Sequence, residues 1–118
     1  MSSSLALCAG LLAPSVALAE PSVDDARGLL LRGRFPAAIA VLQDVVHRDA
    51  ERAEAWRTLA VAYEAMGHAP EAVRAYRRYL ALSPGADDVE LVMLRVARLV
   101  RGLGWDPGEV RTAFELRT

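Results

Sequence analysis

The 118-residue chain has no lysine and no asparagine, a single cysteine and two histidines. Each shortage removes a class of chemistry. Cys8 alone cannot form an internal disulfide. His47 and His68 are the only side chains suited to act as neutral-pH bases or imidazole metal ligands, and they are far apart in sequence, in different elements. Strand-favouring Thr, Tyr and Phe are few, so no strand precedes a glycine-rich phosphate loop. This inventory argues against an enzyme and offers no site for a cofactor, a metal ion or a small-molecule substrate. All 14 basic residues are arginine, set against 15 acids for a net charge of −1. Charge so mixed gives no reason to expect nucleic acid or an anionic membrane surface as partner. Arginine without lysine is a bias that GC-rich bacterial coding produces, and it says more about codons than about chemistry.

What remains is rich in Ala, Leu, Arg and Glu, the strong helix formers. The length suits one domain. With 53% hydrophobic and 25% charged residues, the composition is that of an ordinary globular protein.

Residues 5–19, Leu-Ala-Leu-Cys-Ala-Gly-Leu-Leu-Ala-Pro-Ser-Val-Ala-Leu-Ala, carry no charge. They end in Ala17-Leu18-Ala19 before Glu20-Pro21, the small-x-small pattern that a signal peptidase accepts. A membrane-spanning helix needs about 20 apolar residues, and this run is shorter and broken by Pro14. Residues 1–19 are therefore expected to be a secretory leader cleaved after Ala19, which makes the mature chain extracytoplasmic, periplasmic or secreted. Met1-Ser-Ser-Ser lacks the basic residue that such a leader ordinarily carries. A start set too far downstream, or an apolar helix packed on the rest of the chain, are the alternatives. Leu7 before Cys8 disfavours a lipoprotein, which needs a small residue there.

The remaining chain is self-similar. Displaced along itself by one constant interval, it pairs Ala26 with Ala60, Gly33 with Gly67, Pro36 with Pro70 and Ala38 with Ala72. Leu29 then meets Tyr63, Ile39 meets Val73, and Leu42 meets Tyr76. In the second copy, small residues at Ala60 and Ala72 let two helices approach closely, with Trp56, Leu59, Tyr63 and Tyr76 filling the space around that contact. Gly67 ends the first helix with a positive φ, Pro70 suits the first turn of the second, and Pro84 stops it. The spacing predicts helices over about 54–66 and 70–82.

Trp56-x-x-Leu59-Ala60-x-x-Tyr63, followed by Gly67, Ala72, Tyr76 and Pro84, resembles the tetratricopeptide repeat, and the interval between the copies is that family's period. Ala60 departs from the more usual Gly and is small enough to serve. The resemblance implies an all-α fold: a tetratricopeptide-type α-solenoid of about three helix–turn–helix hairpins in a right-handed superhelix. Residues 20–52 form a degenerate first hairpin, in which Ser22 stands for the Trp and Ala50 for the closing Pro. Residues 53–86 form the well-formed one. Residues 87–118 form a divergent terminal one: a helix from Asp87-Asp88 to about Arg101, then Gly104-Trp105-Asp106-Pro107, which falls later than one full period after Gly67. Asp106 and Glu109 there read as a capping box opening a last helix. Asp24-Asp25 and Asp87-Asp88 begin helices, where the macrodipole accounts for them.

The same resemblance implies protein binding, with the first helix of each hairpin lining a concave groove that takes a partner segment. Register from Trp56 places Glu54, Arg57, Val61 and Glu64 on the groove in the middle hairpin. It places Arg27 and Leu31 there in the first hairpin, and Leu91, Arg95 and Arg98 in the third. The implied partner is another protein or peptide, and the arginines suit an acidic segment. The Lys- and Asn-based carboxylate clamp of some family members is not carried over, because both residue types are missing. The alternative is that these arginines serve only to keep one helix face wet. Arg74, Arg77 and Arg78 fall on a second helix and read as solvated residues stacked on Tyr76 and Tyr79. Residues 89–103 are more apolar than one neighbour can bury, so either the last hairpin covers them or a second copy does in weak self-association.

Overall fold

The computed structural model describes residues 20–105, which fold into five α-helices with no strand among them. These are α1 (Val23–Leu31), α2 (Phe35–Arg48), α3 (Ala53–Ala65), α4 (Ala69–Leu82) and α5 (Val89–Leu103). Helices α1 and α2 pair as one hairpin, α3 and α4 as the next, and α5 packs on α4. The leader with Cys8, and the expected last helix with Glu109, lie outside the described residues. No helix among the described residues is long and apolar enough to cross a membrane.

Local chemistry sets the boundaries. Ser22 opens α1 with a capping box: its hydroxyl accepts the Asp25 N–H at 3.3 Å, and the Asp25 carboxylate accepts the Ser22 N–H at 2.8 Å. Three helices then end in the same way. At Gly33, Gly67 and Gly104 φ is 72°, 75° and 73°. The next residue's N–H bonds back to the helix, Arg34 to Leu29, His68 to Tyr63 and Trp105 to Val100. This is the Schellman stop, which satisfies carbonyls that the helix leaves orphaned. Pro36 and Pro70 then sit in the first turns of α2 and α4, where no N–H is missed.

The core is built largely of alanine. Ala26, Ala38, Ala55, Ala60, Ala62 and Ala72 are fully buried, with Leu42, Val73 and Tyr76 packed among them. α5 contributes a narrow ridge of Val92, Val96 and Val100. Ala60 and Ala72, expected at the helix crossing, are both fully buried, and so are Leu59 and Tyr76. Trp56 and Tyr63 are partly buried and pack against this core from its edge, in line with the expectation that they fill the space around the small residues. Trp56 Nε1 donates to the Ala50 carbonyl at 2.8 Å and so ties α3 to the preceding loop.

α5 runs to Leu103, past the Arg101 expected from sequence, because the glycine stop falls only at Gly104. This third inner helix is 15 residues long against 13 for α3. The connection that precedes it, Ser83 to Asp88, is also longer than the one before α3, Asp49 to Arg52. Together they place Gly104 later than the repeat alone would.

Ala72 tests the packing. Ala72→Leu puts three extra carbons into a fully buried contact and should lower stability by about 1–3 kcal/mol. Chemical denaturation reads the change as a lowered midpoint at unchanged slope.

Candidate functional site

The first helices of the hairpins, α1, α3 and α5, follow one another along one side of the stack. α1 touches α3 directly. The groove residues expected from sequence all fall on these helices, and the structure joins most of them in pairs. Arg27 bridges Asp24, at 3.1 Å, to Glu54 on the next inner helix. Arg57 Nε donates to Asp88 Oδ2 at 2.6 Å, linking α3 to the start of α5. Arg98 Nη2 donates to Glu64 Oε2 at 3.0 Å, and Arg95 Nη1 lies 3.6 Å from Glu64 Oε1. Every groove arginine therefore has an acid within ion-pair distance.

The α3–α5 seam carries two polar rungs. Arg57 and Glu64 are one heptad apart on α3. Asp88 and Arg95 repeat that spacing at the start of α5 and along it, with the signs reversed. Helix α4 supplies a hydroxyl to each rung from behind. Tyr79 Oη donates to Asp88 Oδ1 at 2.5 Å, and Tyr76 Oη donates to Glu64 Oε1 at 2.8 Å. Arg95 Nη1 in turn donates to Tyr76 Oη at 3.3 Å. No buried side-chain polar atom among the described residues lacks a partner.

These contacts move the ionisations. The Tyr79 hydroxyl first, and then the Arg57 guanidinium, hold the Asp88 carboxyl below its ordinary range. Burial, and then the neighbouring carboxylate, push both tyrosines up: Tyr76 against Glu64 and Tyr79 against Asp88. The Tyr76 hydroxyl raises Arg95, which stays charged.

Asp24, Asp88, Tyr76 and Tyr79 join the site although they were not among the residues expected on the groove. Asp88 stands at the head of α5, where the macrodipole favours an acid, and has a further role. It occupies the N-cap position, yet its side chain makes no cap hydrogen bond and serves Arg57 and Tyr79 instead. The matching heptad spacings on the two inner helices are the signal in the sequence that points to it. Tyr76 and Tyr79 are buried and carry no stacked arginine among the described residues; Arg78 lies 6.0 Å over the Trp56 ring instead. For Arg78 that corrects the expected stacking on tyrosine.

Apolar groups complete the strip. Val61 is half-buried on α3, Leu91 is 50% exposed on α5, and Leu31 at the end of α1 is 90% exposed. Leu94, further round α5, is 69% exposed. Elsewhere, α2, α3 and α4 border a cleft of about 580 Å³ walled by Trp56, Leu59 and Tyr63 and rimmed by His47, Glu71 and Arg74. His68 lies 4.0 Å from Glu71 at the start of α4. No group of side chains among the described residues is arranged to hold a metal ion.

The family model described as tetratricopeptide repeat matches residues 29–95, more than half of the chain. No curated protein and no solved structure gives a significant match.

The lower rung predicts a pH profile. Asp88 is depressed on folding, so its contribution is fully present above the ordinary carboxylate value of about 3.9 and is lost as pH falls through its folded value. The two tyrosines are raised, so theirs is fully present below about 10 and is lost as pH rises through their folded values. Asp88→Asn should cost about 1–3 kcal/mol at neutral pH and flatten the acid limb of a stability–pH curve. An acid limb identical to that of the wild type would remove Asp88 as its source.

Proposed function

The chain belongs to the tetratricopeptide-repeat family, and from that premise we propose that it is an adaptor of the bacterial cell envelope that docks a partner segment along α1, α3 and α5. Repeats of this family generally mediate protein–protein interaction. The observation that carries the reading is the strip on the inner helices, where polar pairs alternate with uncovered apolar side chains. Leu31, Val61 and Leu91 offer apolar contact, while Arg27, Arg57, Arg95 and Arg98 offer charged donors beside it. Such alternation suits an extended or helical segment with both apolar and acidic side chains. The adaptor contributes contacts and no chemistry. The envelope location rests on the uncharged run over residues 5–19 and the Ala17-Leu18-Ala19 ending.

A second reading draws on Leu91, Met93 and Leu94, which leave α5 with an exposed apolar side. Self-association through that side would make the chain a structural module. Light scattering separates the two: an adaptor keeps one mass across concentrations, and a self-associating module does not.

Arg98 is the variant of choice for the groove, since its side chain is 65% exposed and Glu64 is its ion-pair partner. Arg98→Gln should weaken capture of the wild-type chain's envelope partner about tenfold, the loss expected of one charge-assisted contact. Added salt should weaken the wild-type complex in the same sense. Capture at undiminished affinity would move the site off this face. For the leader, intact mass should show a mature chain beginning at Glu20, and a cytoplasmic product retaining Cys8 would overturn the location.

A further inference from the structure

The groove arginines do not face solvent as bare cations. Glu64 is the side chain on which the upper rung converges: Arg98 at 3.0 Å, Arg95 at 3.6 Å and the Tyr76 hydroxyl at 2.8 Å all address its single carboxylate. Two guanidinium groups and one carboxylate leave one positive charge in excess at neutral pH. The Arg95 Nη1 donor that lies nearest Glu64 is engaged with Tyr76, so Arg95 attracts the carboxylate by charge without a hydrogen bond to it. Arg98 meets Glu64 through one nitrogen, although a guanidinium carries several donors in a fork that matches a carboxylate. The cluster is therefore a carboxylate site filled from within, and filled incompletely.

Resting on the groove reading above, we propose that Glu64 is the residue that sets the ligand preference of this site. Its carboxylate occupies Arg95 and Arg98 in the unbound chain, and a side-chain carboxylate of an acidic partner segment competes with it for them. The geometry supports competition rather than simple addition. Glu64 is only 21% exposed and is held from behind by Tyr76, whereas Arg98 lies on the open side. An arriving carboxylate meets Arg98 first, and Arg98 can turn toward it by giving up one bond to Glu64. Glu64 keeps the Tyr76 hydrogen bond when this happens, so its carboxylate is not stranded. Without an acidic ligand Glu64 offsets one of the two guanidinium charges. The lower rung gives the contrast: Asp88 has two close hydrogen bonds, at 2.6 and 2.5 Å, and pairs with the single guanidinium of Arg57.

The test uses the full chain and a fluorescent hexaglutamate peptide, with hexaglutamine as the uncharged control. Glu64→Gln keeps the shape and the acceptor for Tyr76 while removing the competing charge. It should bind hexaglutamate at least about fivefold more tightly than the wild type, with no gain for hexaglutamine. Adding Arg98→Gln should abolish the gain. In the wild-type chain, isotope-edited NMR should show the Glu64 carboxyl carbon shifting as hexaglutamate is added, a readout that survives if the variant does not fold. If wild type and Glu64→Gln bind hexaglutamate equally and the Glu64 carbon stays still, the competition is overturned while acidic docking stands. Should hexaglutamate bind neither chain better than hexaglutamine does, the acidic preference itself falls with it.

Discussion

The close approach of alanine-lined helices is the constraint on which the rest of this structure hangs. With Ala26, Ala38, Ala55, Ala60, Ala62 and Ala72 fully buried, the interior takes few bulky side chains, Leu42 and Tyr76 among them. Bulk is pushed to the margins. Trp56 and Tyr63 become walls of the cleft beside α2 and α4, and Tyr76 and Tyr79 extend until their hydroxyls meet the α3–α5 seam. Thin alanine contacts bury little area per residue, and hydrophobic stabilisation scales with area. The tyrosines, which span core and seam, therefore supply much of what the contacts alone would not.

That arrangement explains why the candidate face is polar yet electrically balanced. α3 and α5 meet through charge and hydroxyl groups across a seam that apolar packing fills only behind it, on α4. Pairs so placed give modest stability where they are exposed, and more where a buried phenol adds a hydrogen bond. They also fix the axial register of α5 on α3, because opposite signs at heptad spacing match in one alignment only. Specificity of assembly and availability for a ligand thus draw on the same side chains.

Much of the fold was legible in the sequence, for reasons of local physics. Gly33, Gly67 and Gly104 marked helix stops because a positive φ excludes most residues, and Pro36 and Pro70 marked helix starts because proline fixes φ. The repeat period followed from those fixed points. The site was legible only in part. Which helices carry Arg27, Arg57, Arg95 and Arg98 could be read from register. Their pairing was legible unevenly: Arg98 and Glu64 lie one repeat period apart, whereas Arg57 and Asp88 are separated by a shorter interval that only the matching heptad spacings hint at. The routing of α4's hydroxyls to the seam is a tertiary fact that no single repeat encodes.

The helix stops also say how this chain could be remade. At Gly33, Gly67 and Gly104 nothing lies within 4 Å of where the first side-chain carbon of an L residue would stand. The turn there demands a handedness and makes no demand for smallness. Glycine meets it only by being achiral, and the same freedom enlarges the disorder of the unfolded chain. A D-amino acid, for which this φ is the natural one, would meet the demand without the added disorder. At these three stops the backbone angle favours the mirror-image residue, and chemical synthesis could use it to make a stiffer version of the same fold.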